Sequence, residues 1–253
     1  MDINKVYCMD NLELLRQLPD EFIDLIYCDI LYNTGKKFKD YDDRLGTPQQ
    51  AVEWYRPRLI EMRRVLKNTG SIYLQCDYRL VHYLKVDMDD IFGLNNFRNE
   101  IIWTYNGGGI TKKQWNKKHD TILFYSKSNN FIFNTQYQPY NENSAKRLKN
   151  KHRGRDKSER ILIGTPMVDW WDDIKCIVNP ANKEYVGYNT QKPKKLLERI
   201  IKASSNEGDV IADLFCGSGT SIVVAKELNR QYIGCDINPR AIEITNNRLK
   251  EIG

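Results

Sequence analysis

Short apolar runs recur along this chain at residues 6–8, 25–28, 71–76, 210–212 and 232–235, and each is followed within two residues by an aspartate: Asp10, Asp29, Asp77, Asp213 and Asp236. Runs this short, rich in Ile, Val and Tyr, read as buried strands. Between them, apolar residues at helical spacing predict helices over residues 12–18, 51–66, 78–91 and 193–203, and residues 209–249 close the chain as strand, helix, strand, helix. The alternation predicts an α/β fold built from parallel β-α-β units. Two further strands, 100–105 and 121–125, are joined through Gly107-Gly108-Gly109 with no helical pattern, which predicts a hairpin at one edge of the sheet. No internal repeat or low-complexity linker interrupts the pattern.

In an open α/β sheet the ligand sits outside the carboxyl ends of the strands, so five strand-end aspartates mark a candidate site. Any one of them also reads as a turn or helix-cap carboxylate, and Asp77 is read that way. The turn Asp213-Leu214-Phe215-Cys216-Gly217-Ser218-Gly219-Thr220 sharpens the case. Gly217 and Gly219 allow a tight turn against which a ligand lies, and the helix after it, 220–228, points its N-terminus at the same ligand. Asp236, ending the next strand, stands at an offset that suits the two hydroxyls of a ribose. A phosphate loop would need Gly, four residues, then Gly-Lys-Ser/Thr, which does not occur; a dinucleotide fingerprint would need a third Gly where Ile222 stands. A ligand with ribose and no pyrophosphate fits better.

Near the other end, the strand Ile23-Asp24-Leu25-Ile26-Tyr27-Cys28 ends in Asp29-Ile30-Leu31-Tyr32. This stretch resembles the Asp-Pro-Pro-Tyr catalytic loop of the amino-group (N6-adenine/N4-cytosine) DNA methyltransferases, with both prolines replaced. Phe215-Cys216-Gly217-Ser218-Gly219 resembles that family's S-adenosylmethionine loop, and Tyr188-Asn189-Thr190-Gln191-Lys192-Pro193 its Thr-Gln-Lys-Pro element. The order of catalytic loop, target-recognition region and donor loop matches the beta class. The resemblance implies a Rossmann-like S-adenosylmethionine-dependent methyltransferase fold, a circularly permuted mixed sheet with an inserted target-recognition region and the first strand beside the last. It divides the chain into a catalytic half (1–133), a target-recognition region (134–187) and a donor-binding half (188–253). It implies catalytic roles for Asp29, Ile30 and Tyr32, and donor contacts from Asp10, Asp29, Thr190, Lys192, Asp213, Phe215, Cys216, Gly217, Gly219, Thr220 and Asp236. Asp10 would reach the donor's adenine end, and Thr190 and Lys192 its carboxylate.

Composition narrows the setting. With 253 residues, 41% of them hydrophobic, and no apolar run of membrane-spanning length, the chain reads as a soluble globular protein with no membrane partner. No N-terminal signal peptide is visible, and the six cysteines form no Cys-x-x-Cys pair, which points to a reducing cytoplasm and no metal site. Cys28, Cys76 and Cys235 read as small core residues. The net charge of +6 is mild, but Lys112 and Lys113 begin one basic cluster, and Lys146, Arg147, Lys149, Lys151, Arg153 and Arg155 lie in another. Such runs are often merely solvated. Trp115, Tyr137, Tyr140 and Trp170-Trp171 nearby favour a surface for double-stranded DNA, since cations bind phosphates and aromatic rings stack bases. A homodimer is kept as a second assembly.

The exocyclic amine of adenine is a poor nucleophile because its lone pair is delocalised. Asp29 and the carbonyl of Ile30 are placed to accept its two hydrogens and localise that pair, with Tyr32 stacking on a base flipped from the duplex. Asp at the first loop position leans toward adenine within the family, with N4-cytosine as the alternative; methylation of a cytosine ring carbon would need a Pro-Cys nucleophile, which is missing. A restriction-modification role accompanies this reading. The two missing prolines predict a loop less pre-organised by about 0.4–1 kcal/mol each and a rate roughly tenfold lower. A donor- and DNA-binding protein impaired in catalysis is the further alternative.

Overall fold

A computed structural model describes residues 2–106, 110–143, 146, 164–177 and 182–252. Its strands are β1 (Lys5–Cys8), β2 (Ile23–Asp29), β3 (Leu66–Cys76), β4 (Phe97–Thr104), β5 (His119–Ser126), β6 (Tyr137–Gln138), β7 (Thr165–Pro166), β8 (Trp170–Trp171), β9 (Val210–Asp213) and β10 (Gln231–Asp236). The helices are α1 (Asn11–Gln17), α2 (Pro48–Val65), α3 (Val81–Phe92), α4 (Lys194–Ser204), α5 (Thr220–Glu227) and α6 (Pro239–Glu251).

Eight strands form one sheet in the order β1-β10-β9-β2-β3-β5-β4-β8, while β6 and β7 pair separately. The first five strands of that order run parallel, and β5 is antiparallel to both of its neighbours, β3 and β4. β1 lies beside β10, with Val6 opposite Gly234, so the first strand does adjoin the last.

Alternate residues of a strand point to opposite faces, and β2 serves two cores because of it. Ile26 and Cys28 join a cluster with Leu14, Leu59 and Met88 from α1, α2 and α3. Leu25 and Tyr27 join another with Ile200, Val223 and Leu249 from α4, α5 and α6. The result is a helix-sheet-helix sandwich in which a fully buried Leu or Ile contributes about 1.5–3 kcal/mol. Local chemistry sets the helix starts. Thr47 and Gln50 cap α2 reciprocally, Asp10 caps α1, and Asn238 followed by Pro239 opens α6.

Three expectations need correction. The β4–β5 hairpin is not outermost, because β8 pairs in parallel with β4 and forms the edge. Trp170-Trp171 is therefore a strand: Trp170 is 57% exposed, but Trp171 is 7% exposed and packs in the core under the guanidinium of Arg199, so it is no part of a free surface. The third helix begins at Val81 and not at residue 78, because Asp77 accepts a hydrogen bond from Arg79 N at 2.9 Å and holds residues 78–80 in a turn. Asp77 is thus the turn carboxylate expected of it. Cys28, Cys76 and Cys235 are fully buried.

Candidate functional site

The sheet register brings the strand-end carboxylates together. Leu25 faces Ile211 and Ile26 faces Ala212 across β2 and β9, while Gly234 faces Asp213 across β10 and β9, so Asp29, Asp213 and Asp236 emerge side by side. Beyond these ends opens a cavity of about 400 Å³. Asp10, Asp29, Ile30, Tyr32, Thr190, Lys192, Asp213, Phe215, Cys216, Gly217, Thr220 and Asp236 all line it.

Gly219 does not. It sits at φ 71°, and a Cβ there would lie 2.2 Å from Thr245 Cγ2, so α6 covers the position a ligand was expected to use. Its role is the left-handed turn that starts α5. Gly217, at φ 49°, does face the cavity, with the Tyr188 ring against it.

The turn is framed by the carboxylates themselves. Asp213 accepts from Phe215 N at 3.1 Å and from the Ser221 hydroxyl, and burial pushes its carboxyl up to about 7. Asp236 accepts from Gly217 N at 2.9 Å and Asn238 N at 2.8 Å, and burial raises it too. These bonds leave further lone pairs on Asp236 for a ligand. Asp10 is more committed: it caps α1 through Leu12 N at 2.8 Å and pairs with Arg58 at 2.7 Å. Arg58 in turn lies 3.5 Å over the Trp54 ring, which forms part of the cavity wall facing Phe215 at 6.3 Å between centroids.

The segment Asp29-Ile30-Leu31-Tyr32 is fastened without prolines. Ile30 N donates to Gln75 O at 3.2 Å, and its side chain is 3% exposed within the core. The Tyr55 hydroxyl donates to Leu31 O at 3.0 Å, and Asp43 accepts from Asn33 N at 3.0 Å and Thr34 N at 2.9 Å. Hydrogen bonds thus supply the restriction that prolines would have supplied through φ. Asp29 Oδ2 is paired with Lys192 Nζ, and Tyr32 lies 2.7 Å from Oδ1. Burial raises the Asp29 carboxyl and Lys192 opposes the rise.

Several contributors were invisible in the sequence. Trp54 and Tyr55 belong to a helix whose apolar face also builds core. Asp120 and Gln75 hold Tyr32 from neighbouring strands, and antiparallel pairing across a glycine loop gives no local signal for that meeting. Phe38, Asp40 and Tyr41 line the cavity from an irregular polar strap, residues 33–46, which Arg240 of α6 fastens through Asp40.

Of the basic residues proposed for DNA, Lys112 and Lys113 are exposed on the β4–β5 connection, at the same end of the sheet as the carboxyl end of β3. Trp115 on the same connection is exposed, and Lys117 lies 4.5 Å over the Tyr78 ring. Lys146 is exposed and 3.9 Å from Glu142. Arg147, Lys149, Lys151, Arg153 and Arg155 lie outside the described residues.

The chain is similar to known proteins along most of its length. A family model described as DNA methylase, N6/N4 type, matches residues 23–247. The chain is 34% identical to the type II methyltransferase M.HpaI of Haemophilus parainfluenzae, covering 97% of this chain and 74% of the relative. It is 30% identical to the DNA adenine methyltransferase YhdJ of Escherichia coli strain K12, covering 95% and 80%. In fold it is similar to the cytosine-N4-specific PvuII DNA methyltransferase, with a TM-score of 0.69 at 17% identity over 98% of this chain and 86% of that one. The M1.HpyAVI complex with S-adenosylmethionine gives a TM-score of 0.62 at 20% identity over 97% and 98%. With its strand-end carboxylates, its glycine turn and a family match over nearly all of its residues, the chain belongs to the N6/N4 DNA methylase family.

Proposed function

We propose that this protein transfers a methyl group from S-adenosylmethionine to the N6 amine of adenine in duplex DNA, as the modification activity of a restriction-modification system. The observation that carries this reading is the position of Asp29, a partly buried carboxylate on the cavity wall with Tyr32 beside it and the glycine turn lining the same cavity.

The donor set suits the cofactor. Trp54 and Phe215 offer apolar faces for an adenine, Asp236 has lone pairs for ribose hydroxyls, and Asp29 and Asp236 make a field that favours a cation. S-adenosylmethionine supplies a methyl group activated on a positively charged sulfur. Lys192 is the cation placed for its carboxylate, and Thr190 is next to it. A donor carboxylate bound there would compete with Asp29 for Lys192 and would leave Oδ2 of Asp29 open to the amine. Asp29 and the Ile30 carbonyl then accept the two amine hydrogens, which draws the nitrogen toward tetrahedral geometry. Burial, which raises the Asp29 carboxyl's affinity for a proton, suits it to take the one the amine must lose. The Tyr32 ring provides a stacking face for the flipped base. Lys112, Lys113 and the basic residues of 146–155 contact phosphates, and residues 134–187 read the sequence around the target.

The similarity to a cytosine-N4-specific enzyme favours one second reading, the same chemistry on the N4 amine of cytosine. Incubating mixed-sequence duplex DNA with the protein and S-adenosylmethionine, then sequencing modified bases directly, separates the two. N6-methyladenine in a single sequence context is the expected result. N4-methylcytosine would reassign the substrate, and binding of donor and DNA with no modified base would make the chain a binding protein.

A further inference from the structure

The Tyr32 hydroxyl stands between two carboxylates, 2.7 Å from Asp29 Oδ1 and 2.9 Å from Asp120 Oδ2. A phenol has one hydrogen and satisfies one of them at a time. The two acceptors are held differently. Asp120 is 5% exposed on β5 and does not line the cavity; it also receives the Tyr105 hydroxyl on Oδ1 and the Gln75 amide nitrogen on Oδ2, each at 2.9 Å. Gln75 cannot turn its oxygen toward Asp120 without losing the Tyr27 hydroxyl, which donates to that oxygen at 2.7 Å. Asp120 is therefore an acceptor anchored by two donors other than Tyr32. Asp29 faces the cavity, and only Lys192 and Tyr32 engage its carboxylate among the bonds described.

We infer that Asp120 is a positioning residue for methyl transfer: it takes over the Tyr32 hydroxyl hydrogen when the target amine arrives, relieving Asp29 of a competing donor so that its carboxylate accepts the amine hydrogen more strongly while the Tyr32 ring stays in place. Without a second acceptor, the Tyr32 hydrogen would stay on Asp29 Oδ1 and draw charge from the carboxylate the reaction needs. The gain is one charge-assisted hydrogen bond moved from substrate competitor to scaffold. This role rests on the reading that Asp29 accepts the amine.

A double-mutant cycle tests it. In Asp120→Asn a neutral amide oxygen competes poorly with the Asp29 carboxylate for the hydrogen, so single-turnover transfer to duplex DNA at saturating donor and DNA should fall about tenfold. The KM for DNA should stay within about twofold, since the change acts after binding. In a Tyr32→Phe background there is no hydroxyl to relocate, and Asp120→Asn should change the rate less than about twofold. An unchanged rate in the single variant, or an equal fall in both backgrounds, overturns the proposal, the latter leaving Asp120 a purely structural role. Asp120→Ser takes the same place in the cycle if Asp120→Asn does not fold. Absence of transfer by the native chain would instead remove the reading of Asp29, and this role with it.

Discussion

Ile30 carries the sharpest consequence of a single side chain. Its N–H donates to Gln75 O and its side chain is buried, so proline there loses a hydrogen bond and core volume together. Against a gain of about 0.4–1 kcal/mol from the stiffer unfolded chain, Ile30→Pro should destabilise by about 1–3 kcal/mol in denaturant unfolding. Leu31→Pro keeps the carbonyl that Tyr55 binds and should be within about 1 kcal/mol of neutral. Equal effects at the two positions would show that the Ile30 hydrogen bond does not fasten the loop. Asp213 gives a pH signature. Its folded carboxyl is raised to about 7 by burial, so the folded state holds a proton that the unfolded chain has already released. The sign follows: its contribution is intact at acid pH and falls by roughly 4 kcal/mol as pH rises from the ordinary carboxylate range to about 7. Asp213→Asn cannot ionise, so the difference in stability between the native chain and this variant should change across that window. A constant difference would mean that Asp213 titrates normally.

At the level of elements, the strap of residues 33–46 is held to α6 and its cap through Asp40. Asp40 is nearly fully buried and pairs with Arg240 on α6, while Asn238 Nδ2 donates to Asp40 O at 2.5 Å. Removing the guanidinium leaves a buried charge unpaired, which the strap relieves by opening. Arg240→Ala should therefore weaken S-adenosylmethionine binding about tenfold by calorimetry while thermal unfolding of the sandwich moves little; unchanged affinity would show that the strap does not close the cavity. The same contrast explains what was legible in the sequence. β2, β9 and β10 announced themselves because both of their faces are buried, which forces continuous apolar runs, and their terminal aspartates followed directly. The strap has no period because it wraps a cavity and packs only in part. Trp171 looked like a surface aromatic because a two-residue strand has no pattern to read, and Asp120 was hidden because its partners are distant in sequence: Gln75 on β3, and Tyr32 and Tyr105 in the segments that follow β2 and β4.

For the whole molecule, the charge asymmetry predicts how DNA engages. Lys112 and Lys113 stand exposed at the end of the sheet where the strand-end carboxylates emerge, and the proposed function gives them phosphate contacts. Replacing both with Ala should reduce the salt slope of DNA binding by about 2 and weaken all sequences alike; an unchanged slope would return them to ordinary solvated lysines. The central claim is that Asp29 handles the amine within the donor cavity. Its most direct test is single-turnover transfer of labelled methyl from S-adenosylmethionine to duplex DNA by the native chain and by Asp29→Asn, with donor affinity measured on both. The predicted result is N6-methyladenine from the native chain, a rate lowered about a hundred- to a thousandfold by Asp29→Asn, and donor affinity within about tenfold. Transfer by Asp29→Asn at the native rate would contradict it.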